Sequence, residues 1–387
     1  MHKRIPHLRS VPLPLVALAL LLVAGHAWAD EAEPAAGTVQ TAQSRQSGDL
    51  QFDDDAVRVG SARLTWDRLL TMSFDAPRQT LASPHVVHLV GGEQWPGRVL
   101  ALDEQELTID VPALGERVLP RDALTAIDFV QDLPWPPERY GVLERREGGP
   151  VPSTLLRIGE QTLAVDSPLG ELEVRRDLAR RYIFEQRESP DADAGQDELT
   201  LVGGAVLHGT VRPSAAGVAL EHRWLGELEL EWGLVTALRR RTPAVVYLAD
   251  LEPTAQEAEP LLVESLPIDV FVERIDRAGA LDAWSLQPKL RQVYALPDAV
   301  TAEGGAIWLR AQVAPMRGAR GPVTLRVFGD DAEAWSGEIA PDAEAEVLNI
   351  ELGAVREVAL ELDYGEPMAF PLGVELIDPL LLTGADE

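Results

Sequence analysis

The stretch LGELEVRRDLARRYIF (Leu169–Phe184) decides the predicted fold, because variants of it recur along the chain. The Leu-Gly pair that opens it is also found upstream at Leu114 and downstream at Leu225. A further copy opens with Val-Gly at Val59. The four starts are almost evenly spaced, and a recurrence at so constant a period predicts an array of one small structural unit.

Segments before the Leu-Gly pair keep the same period. LVGGEQWPGRV (Leu89–Val99) matches LVGGAVLHGTV (Leu201–Val211), which lies two periods further along the chain. Within a unit, ELTIDV (Glu106–Val111) alternates apolar and polar residues, which is typical of a short β-strand. The glycine after each leucine suits the positive φ of a tight turn. In LGELE we expect Leu169 and Leu225 to pack inward and the acidic residues to face water.

Five short strands in each unit predict a small curled β-barrel. We place complete units at 85–130, 140–185 and 197–241, and a partial unit with only the later strands at 48–75. The order of a strand, G-G-x-x-x-x-G, a long bent strand and a hairpin resembles the SH3-like and Sm-like barrels. That resemblance implies a fold, and the RNA-contacting residues of the Sm family have no clear counterparts here. Propeller-like blades are the alternative architecture, although so few blades would not close a usual ring.

The N-terminus has the three parts of a secretory signal. Lys3, Arg4 and Arg9 give a basic start, Leu13–Ala24 is apolar, and Ala-Trp-Ala precedes Asp30. This order predicts a signal peptide over 1–29, since the apolar run is shorter than the ~20 residues that span a membrane. We therefore expect an exported protein, periplasmic or extracellular, with no transmembrane segment after cleavage. The small and polar residues of 30–47 predict a disordered linker.

Composition excludes several classes of function. The formal net charge is −29, which repels phosphate backbones, so we expect no nucleic-acid partner. The chain has no cysteine, and this excludes thiol catalysis, zinc–thiolate sites and iron–sulfur clusters. The motifs G-x-S-x-G, H-E-x-x-H and the phosphate-binding loop are absent. His85 and His88 are three apart on a predicted strand and point to opposite faces. We predict that the protein is not an enzyme, and a glycoside hydrolase is the least favoured hypothesis.

The region 243–387 does not repeat and predicts a β-sandwich. Short apolar or alternating strands are separated by Gly, Pro and Asp turns, with no helical period. The strands include AIWLRAQV (Ala306–Val313), VTLRVFGDDAEAW (Val323–Trp335), REVALELDYG (Arg356–Gly365) and VELIDPLLL (Val374–Leu382). The predicted fold class is therefore all-β, with small SH3/Sm-like barrel repeats followed by a jelly-roll sandwich.

An ordered series of strand motifs in this region resembles the NPCBM family. The series runs from YLADLEP (Tyr247–Pro253) through VTLRVFGDDAEAWSGEI (Val323–Ile339) and LELDYG (Leu360–Gly365) to IDPLLL (Ile377–Leu382). The resemblance implies a galactose-binding-like jelly roll and carbohydrate binding. One departure is that SLQPKLRQVYALP (Ser285–Pro297) lacks the Gly and His of the turn that precedes the corresponding strand in the family.

Candidate ligand and metal residues lie in this sandwich. Trp284 is in the loop-like stretch LDAWS and Trp335 follows an acidic turn, so both are candidate exposed platforms for a sugar ring, although aromatic rings also fill cores. Asp330 and Asp331 are candidate calcium ligands, because hard cations take clustered oxygens, although turn residues explain them equally well. We expect no cofactor, although the resemblance implies that the sandwich can hold a single structural calcium ion.

Two hypotheses of function follow. The first is an exported, non-catalytic protein that binds carbohydrate or a cell-envelope component through the sandwich. The alternative is a protein–protein interaction scaffold that uses the barrel repeats, with a purely structural sandwich. The expected partners are accordingly a polysaccharide or envelope component, or another exported protein.

Overall fold

A computed structural model of the chain describes residues 35–75, 83–131, 133, 140–185, 196–242, 244–259, 266–275, 277, 280–301, 305–366 and 369–383. All of them lie in one compact body, Pro34–Glu387. The predicted signal peptide, 1–29, lies outside the described residues. No helix within the described ranges has the length and apolar character to cross a membrane.

The first two-thirds of the chain forms four β-units. Unit 1 (35–74) contains β1 Ala35–Thr41, β2 Arg45–Phe52, β3 Ala56–Val59, β4 Ala62–Thr65 and β5 Leu69–Phe74. Unit 2 (85–128) contains β6 His85–Leu89, β7 Gln94–Leu102, β8 Glu106–Val111, β9 Gly115–Pro120 and β10 Leu124–Asp128.

Units 3 and 4 repeat this order. Unit 3 (142–183) contains β11 Val142–Arg145, β12 Val151–Pro152, β13 Thr154–Ile158, β14 Thr162–Ser167, β15 Gly170–Arg175 and β16 Ala179–Ile183. Unit 4 (197–239) contains β17 Asp197–Leu201, β18 Val206–Pro213, β19 Gly217–His222, β20 Gly226–Glu231 and β21 Val235–Arg239. A 3-10 turn precedes the last strand of every unit: Trp66–Arg68, Arg121–Ala123, Arg176–Leu178 and Trp232–Leu234.

The glycines that revealed the period do adopt positive φ. Gly60, Gly115, Gly170 and Gly226 have φ of 59°, 69°, 95° and 71°, a region that favours glycine because it has no Cβ. Each of them lies at the turn into the strand that precedes the 3-10 turn. The interpretation of this region as short strands with glycine turns is therefore confirmed, while the likeness to SH3 and Sm barrels stays a prediction.

The four units associate in two pairs, unit 1 with unit 4 and unit 2 with unit 3, and not one after another in chain order. The last strands of units 1 and 4, β5 and β21, pair antiparallel and join the two units in one ten-stranded sheet. The last strands of units 2 and 3, β10 and β16, pair in the same way within an eleven-stranded sheet. One continuous cluster of buried apolar side chains runs through all four units. Burial of this surface stabilises the assembly of the four.

Three sequence-based predictions in this region were wrong. The disordered linker over 30–47 includes β1 and the start of β2, because residues as polar as Gln40 pair in the sheet and Val39 enters the core. Unit 1 is therefore a full five-stranded unit that begins at Ala35, not a partial one. Leu169 was expected to pack inward, but it is 88% exposed, because it sits at the tip of the turn between β14 and β15.

The C-terminal region, 245–383, is a β-sandwich, as predicted. Its strands are β22 Val245–Tyr247, β23 Ala255–Ala258, β24 Val272–Arg274, β25 Ala283–Leu286, β26 Leu290–Ala295, β27 Ile307–Pro315, β28 Val323–Gly329, β29 Ala332–Ile339, β30 Glu346–Gly353, β31 Glu357–Tyr364 and β32 Val374–Thr383. Short turns of 3-10 helix span Leu248–Asp250 and Ile268–Val270, and the α-helix α1 spans Asp298–Thr301. One sheet has the order β24-β25-β32-β27-β30, with β22 also on β32, and the other has the order β23-β26-β31-β28-β29.

Strand β32 explains how the sandwich sits on the units. All ten of its residues are buried, because one face enters the sandwich core and the other meets unit 1. Leu380 and Leu382 pack against Leu70 of unit 1 together with Tyr247. The Tyr247 hydroxyl donates to the carbonyl oxygens of Leu70, at 3.1 Å, and of Arg240, at 2.8 Å.

Buried ion pairs complete this contact. Arg239 at the end of unit 4 pairs with Asp282 and with Asp250, both of the sandwich, the latter at 3.1 Å. Arg45 of unit 1 pairs with Asp378 of β32. A guanidinium buried beside a carboxylate is fixed in direction as well as in charge, so these pairs set the orientation of the sandwich on units 1 and 4.

Candidate functional site

The structure places Trp284 inside the sandwich. It lies on β25, is 5% exposed, and its indole stacks on the Tyr294 ring at 6.3 Å with an interplanar angle of 8°. Tyr294 belongs to β26 in the opposite sheet, so the pair bridges the two layers of the core. The expectation of an exposed platform at Trp284 was wrong, because LDAWS enters a strand rather than a loop.

Trp335 lies on β29, the edge strand of the five-stranded sheet, and is half-buried. It is opposite Val327, an inward-facing residue of β28, and it packs against the sandwich core. Its contact with a ligand stays a prediction. Because Trp284 is buried, the two tryptophans do not form one exposed platform.

Asp330 and Asp331 form the turn between β28 and β29. Asp330 has a φ of 51°, and its Oδ1 accepts hydrogen bonds from the backbone N–H groups of Arg356, at 2.9 Å, and Glu357, at 3.0 Å. This is the structural role of an Asp in a tight turn. Across the described ranges, no three or more His, Asp or Glu side chains cluster as a metal site. A calcium ion held by this pair therefore stays a prediction.

A different surface of the sandwich concentrates polar side chains that could hold a ligand. Strands β26, β31 and β28 are adjacent, and alternate residues of each point away from the core. We call this surface the charged sheet face, and it consists of Lys289, Arg291, Arg326, Phe328, Glu361 and Asp363.

The middle of the charged sheet face is a row across three strands. Arg291 and Arg326 are both opposite Glu361 in the strand register. The Arg291 guanidinium donates to Glu361 Oε2 at 2.9 Å, and the Arg326 guanidinium donates to Glu361 Oε1 at 2.8 Å. The side chains of Arg291, Arg326 and Glu361 are 33%, 32% and 27% exposed, so they remain accessible to solvent while holding one another in place.

A second carboxylate lies beside this row. Asp363 accepts from Lys289 Nζ at 3.0 Å and lies 3.9 Å from the Arg326 guanidinium. Burial acts to raise the pKa of Asp363, but the Lys289 hydrogen bond and the Tyr364 N–H lower it below its usual value. The hydrogen bond to Asp363 raises the pKa of Lys289. Both groups therefore carry their charges at neutral pH.

An aromatic ring borders the row on its other side. Phe328 follows Arg326 by two residues on β28, so the two side chains share the outward face. The Arg291 guanidinium lies 5.0 Å from the centre of the Phe328 ring. Ala359, opposite Phe328 on β31, is small and buried, whereas the Phe328 ring is partly exposed.

These groups have hydrogen-bonding capacity beyond their contacts with one another. A guanidinium carries five N–H donors, and a carboxylate has about four acceptor positions. The row therefore offers donors and acceptors side by side, next to an apolar ring face. Sequence reasoning missed it because alternation gives the outward residues of each strand, while the lateral row depends on which strands are neighbours.

Comparisons with known proteins give structural likenesses only. No protein-family model matches the chain, and no curated protein matches it. The CBM51 module from Clostridium perfringens GH95 in complex with methyl-galactose is similar with 13% identity and a TM-score of 0.28, over 35% of this chain and 99% of that one. The tandem CBM51 modules of a family 98 glycoside hydrolase from Streptococcus pneumoniae give 12% identity and a TM-score of 0.28, over 90% and 88%.

A third similar structure is the carbohydrate-binding module CBM36 in complex with calcium and xylotriose. It has 9% identity and a TM-score of 0.23, over 35% of this chain and 96% of that one. These three similar structures are carbohydrate-binding modules. Likenesses at these TM-scores identify neither a ligand nor a site in this chain.

Proposed function

We propose that the chain is a non-catalytic carbohydrate-binding protein, exported from the cell, with its glycan site on the charged sheet face. The observation that carries the proposal is the row Arg291, Glu361 and Arg326. Three partly exposed polar groups lie on neighbouring strands, which are about 4.8 Å apart. That spacing is comparable to the width of a sugar ring, so adjacent hydroxyls could meet adjacent side chains.

The chemistry of the row fits a polyhydroxylated ligand. Each sugar hydroxyl is both a donor and an acceptor, so it pairs with a guanidinium on one side and a carboxylate on the other. Ligand sites combine a few fixed polar groups with apolar contact, and Phe328 supplies a ring face beside the row. Because Arg291 and Arg326 are already held by Glu361, little side-chain freedom is lost when a ligand binds.

The test is calorimetric titration of the full chain with a panel of neutral and acidic oligosaccharides, including cell-envelope polysaccharides. Arg326→Ala should weaken binding at least tenfold, which corresponds to about 1.4 kcal/mol. Arg157→Ala is the matched control, since Arg157 is an exposed arginine of unit 3 with only a 3.8 Å contact to Glu173. Equal binding by wild type and R326A, or no heat with any saccharide, would refute the site.

Export is a separate part of the proposal and needs its own test. The basic start, apolar run and Ala-Trp-Ala sequence support cleavage after Ala29. Fractionation of the source cells and N-terminal sequencing should find a mature chain that begins at Asp30. A chain that keeps Met1 in the cytoplasmic fraction would contradict this.

A second candidate function is a protein–protein scaffold that uses the units. The supporting observation is that β15 is an edge strand of the eleven-stranded sheet, with Leu169 88% and Leu172 37% exposed beside it. Exposed edges with apolar side chains are templates for a partner strand. A double variant Leu169→Glu, Leu172→Lys should abolish capture of an exported partner, while R326A should retain it. The opposite pattern would favour the sandwich as the interacting part.

A further inference from the structure

Two clefts open where unit 2 meets unit 3, and equivalent positions of the sequence repeat line them. One surrounds Arg121 and encloses about 430 Å³. The other surrounds Arg176 and encloses about 530 Å³. Arg121 and Arg176 each open the 3-10 turn of their unit, so they hold the same repeat position. Each guanidinium also lies over the phenylalanine that directly follows the last strand of the other unit: Arg121 over Phe184 at 5.5 Å, and Arg176 over Phe129 at 5.9 Å.

The charges around the two clefts differ although the architecture is shared. The cleft around Arg121 is also lined by the carboxylates of Glu104, Asp122 and Glu185. The cleft around Arg176 has the opposite balance: three arginines, Arg146, Arg175 and Arg176, line it together with two carboxylates, Glu160 and Asp177. This concentration of positive charge is unusual in a chain with a net charge of −29.

The carboxylates near the second cleft leave two of its arginines without an ion pair. Asp177 is engaged by Arg175, which donates to it through Nε at 3.0 Å and through Nη2. The Arg175 hydrogen bond lowers the pKa of Asp177, and the charge of Arg146 adds to this effect. Arg146 has no ion-pair partner among the residues that the structure describes. Arg176 donates to the carbonyl oxygens of Val99 and Gly159 and is likewise without a carboxylate partner there.

His85 adds a donor at the same place. The backbone N–H of Val99 donates to His85 Nδ1 at 3.1 Å, so in the neutral ring the proton is on Nε2. Burial, together with the charge of Arg176, lowers the pKa of His85 to about 4, and the ring is neutral at pH 7. His85 Nε2 lies 3.4 Å from Arg176 Nη2. The N–H of His85 Nε2 therefore faces another donor, the Arg176 Nη2 group, which is itself bonded to the Val99 carbonyl oxygen.

An oxyanion would resolve this arrangement. Its oxygens could accept from His85 Nε2 and from the Arg176 guanidinium, and the exposed Arg146 would add a further positive charge. Charge-assisted bonds from a guanidinium to a carboxylate are stronger than neutral ones. The volume of the cleft is in the range of about 300 to 1,000 Å³ that small-molecule sites occupy. Gln161 and Thr162 line the same cleft and offer neutral hydrogen-bonding groups.

We propose that the cleft around Arg176 binds a small carboxylate with the dimensions of an acidic sugar, held by Arg146, Arg176 and His85. The site is separate from the charged sheet face, so either can fail without the other. Its counterpart around Arg121 has the same architecture but three carboxylates, and it would repel the same ligand.

The test is titration of the full chain at pH 7 with glucuronate, glucose and inorganic sulfate. Glucuronate should bind at least tenfold more tightly than glucose, because only it carries the carboxylate. Arg146→Gln should weaken glucuronate binding about tenfold. Arg145→Gln is the matched control, because Arg145 is the exposed neighbour in the chain and does not line the cleft.

A spectroscopic measurement at His85 distinguishes local binding from a general charge effect. Glucuronate held beside the ring should raise the His85 pKa, followed by the imidazole nitrogen shifts in NMR spectra, and glucose should not. Arg326→Ala should bind glucuronate as the wild type does. The proposal is overturned if R146Q and R145Q behave alike, if the His85 pKa does not move, or if sulfate binds as tightly as glucuronate.

Discussion

The indole N–H of Trp66 donates to the backbone carbonyl oxygen of Asp53 at 3.2 Å. In every unit, the residue that opens the 3-10 turn donates a side-chain N–H to a backbone carbonyl oxygen in this way. The other three bonds run from Arg121 Nη1 to Asp103 at 2.8 Å, from Arg176 Nη1 to Gly159 at 3.4 Å and from Trp232 Nε1 to Ser214 at 2.9 Å. In units 1 and 4 these residues are tryptophans that stack on each other at 5.8 Å. In units 2 and 3 they are arginines that reach the opposite unit. The same repeat position therefore gives an aromatic contact between units 1 and 4, whereas between units 2 and 3 it lines two clefts.

Trp232→Ala should destabilise the protein more than the loss of one hydrogen bond would. Trp232 is 9% exposed and stacks on Phe52 at 4.3 Å as well as on Trp66. Truncating a buried tryptophan costs about 3–5 kcal/mol. Trp232→Phe keeps a ring in the stack and loses mainly the bond to Ser214, for about 1 kcal/mol. Urea denaturation followed by circular dichroism measures both, and equal losses for the two variants would contradict the importance of the stack.

The repeat period could be read from the sequence because it is carried by turn glycines. Gly60, Gly115, Gly170 and Gly226 need positive φ, and few other residues tolerate it. The position held by Trp66 could not be read in this way, because Trp and Arg make the same bond with different side chains. The pairing of units 1 and 4 could not be predicted from the sequence either, because it joins strands β5 and β21, which are far apart in the chain.

Gly97→Ala should destabilise unit 2, although Gly97 does not need positive φ. A Cβ on Gly97 would lie 2.7 Å from the Asp110 carbonyl oxygen and 2.9 Å from Ile109 Cδ1. The backbone of β8 would have to move, and overpacking of this kind costs about 1–3 kcal/mol. Gly233→Ala is the matched control, because a Cβ there meets nothing within 4 Å. Thermal unfolding compares the two, and a G97A variant as stable as G233A would show that β8 moves without cost.

The candidate sites could be predicted only in part, for a reason that Trp284 illustrates. The stretch LDAWS has a loop-like composition, yet Trp284 lies on strand β25, opposite Leu376 of β32, and its ring is buried. Tertiary packing overrides local composition at such a position. The row of Arg291, Glu361 and Arg326 comes from three separated segments, and only the strand register brings it together.

Acid should destabilise unit 4 through Glu198, which lies beside the two arginines, Arg239 and Arg241, that also pair with Asp250 of the sandwich. Burial acts to raise the pKa of this group, but His208, Arg239 and Arg241 lower it from 4.5 to about 2. Because the folded value lies below the unfolded one, the stability from this carboxylate is present above about pH 4.5 and is lost as pH falls towards 2. At about 1.4 kcal/mol per pH unit, the whole effect is about 3 kcal/mol.

Glu198→Gln provides the measurement for this group. The variant should be less stable than the wild type at pH 7, and the difference should shrink to nothing as the pH approaches 2. Glu116→Gln is the control, since Glu116 is exposed on β9. Urea midpoints at pH 7, 5, 3 and 2 would follow the difference, and a gap between E198Q and wild type that stays constant would contradict the assigned pKa.

Trp284 and Trp335 give a prediction that separates stability from binding. Trp284→Ala removes a ring that bridges the two sheets, and it should cost about 3–5 kcal/mol. Trp335→Ala removes a half-buried ring on an edge strand, and it should cost less because less apolar surface is lost from the core. With the glycan site on the charged sheet face, W335A should bind oligosaccharides as the wild type does, measured by calorimetry below its unfolding temperature. A W335A protein that is folded but does not bind would move the site to the edge strand β29, with Trp335 as the platform that its place after the acidic turn first indicated.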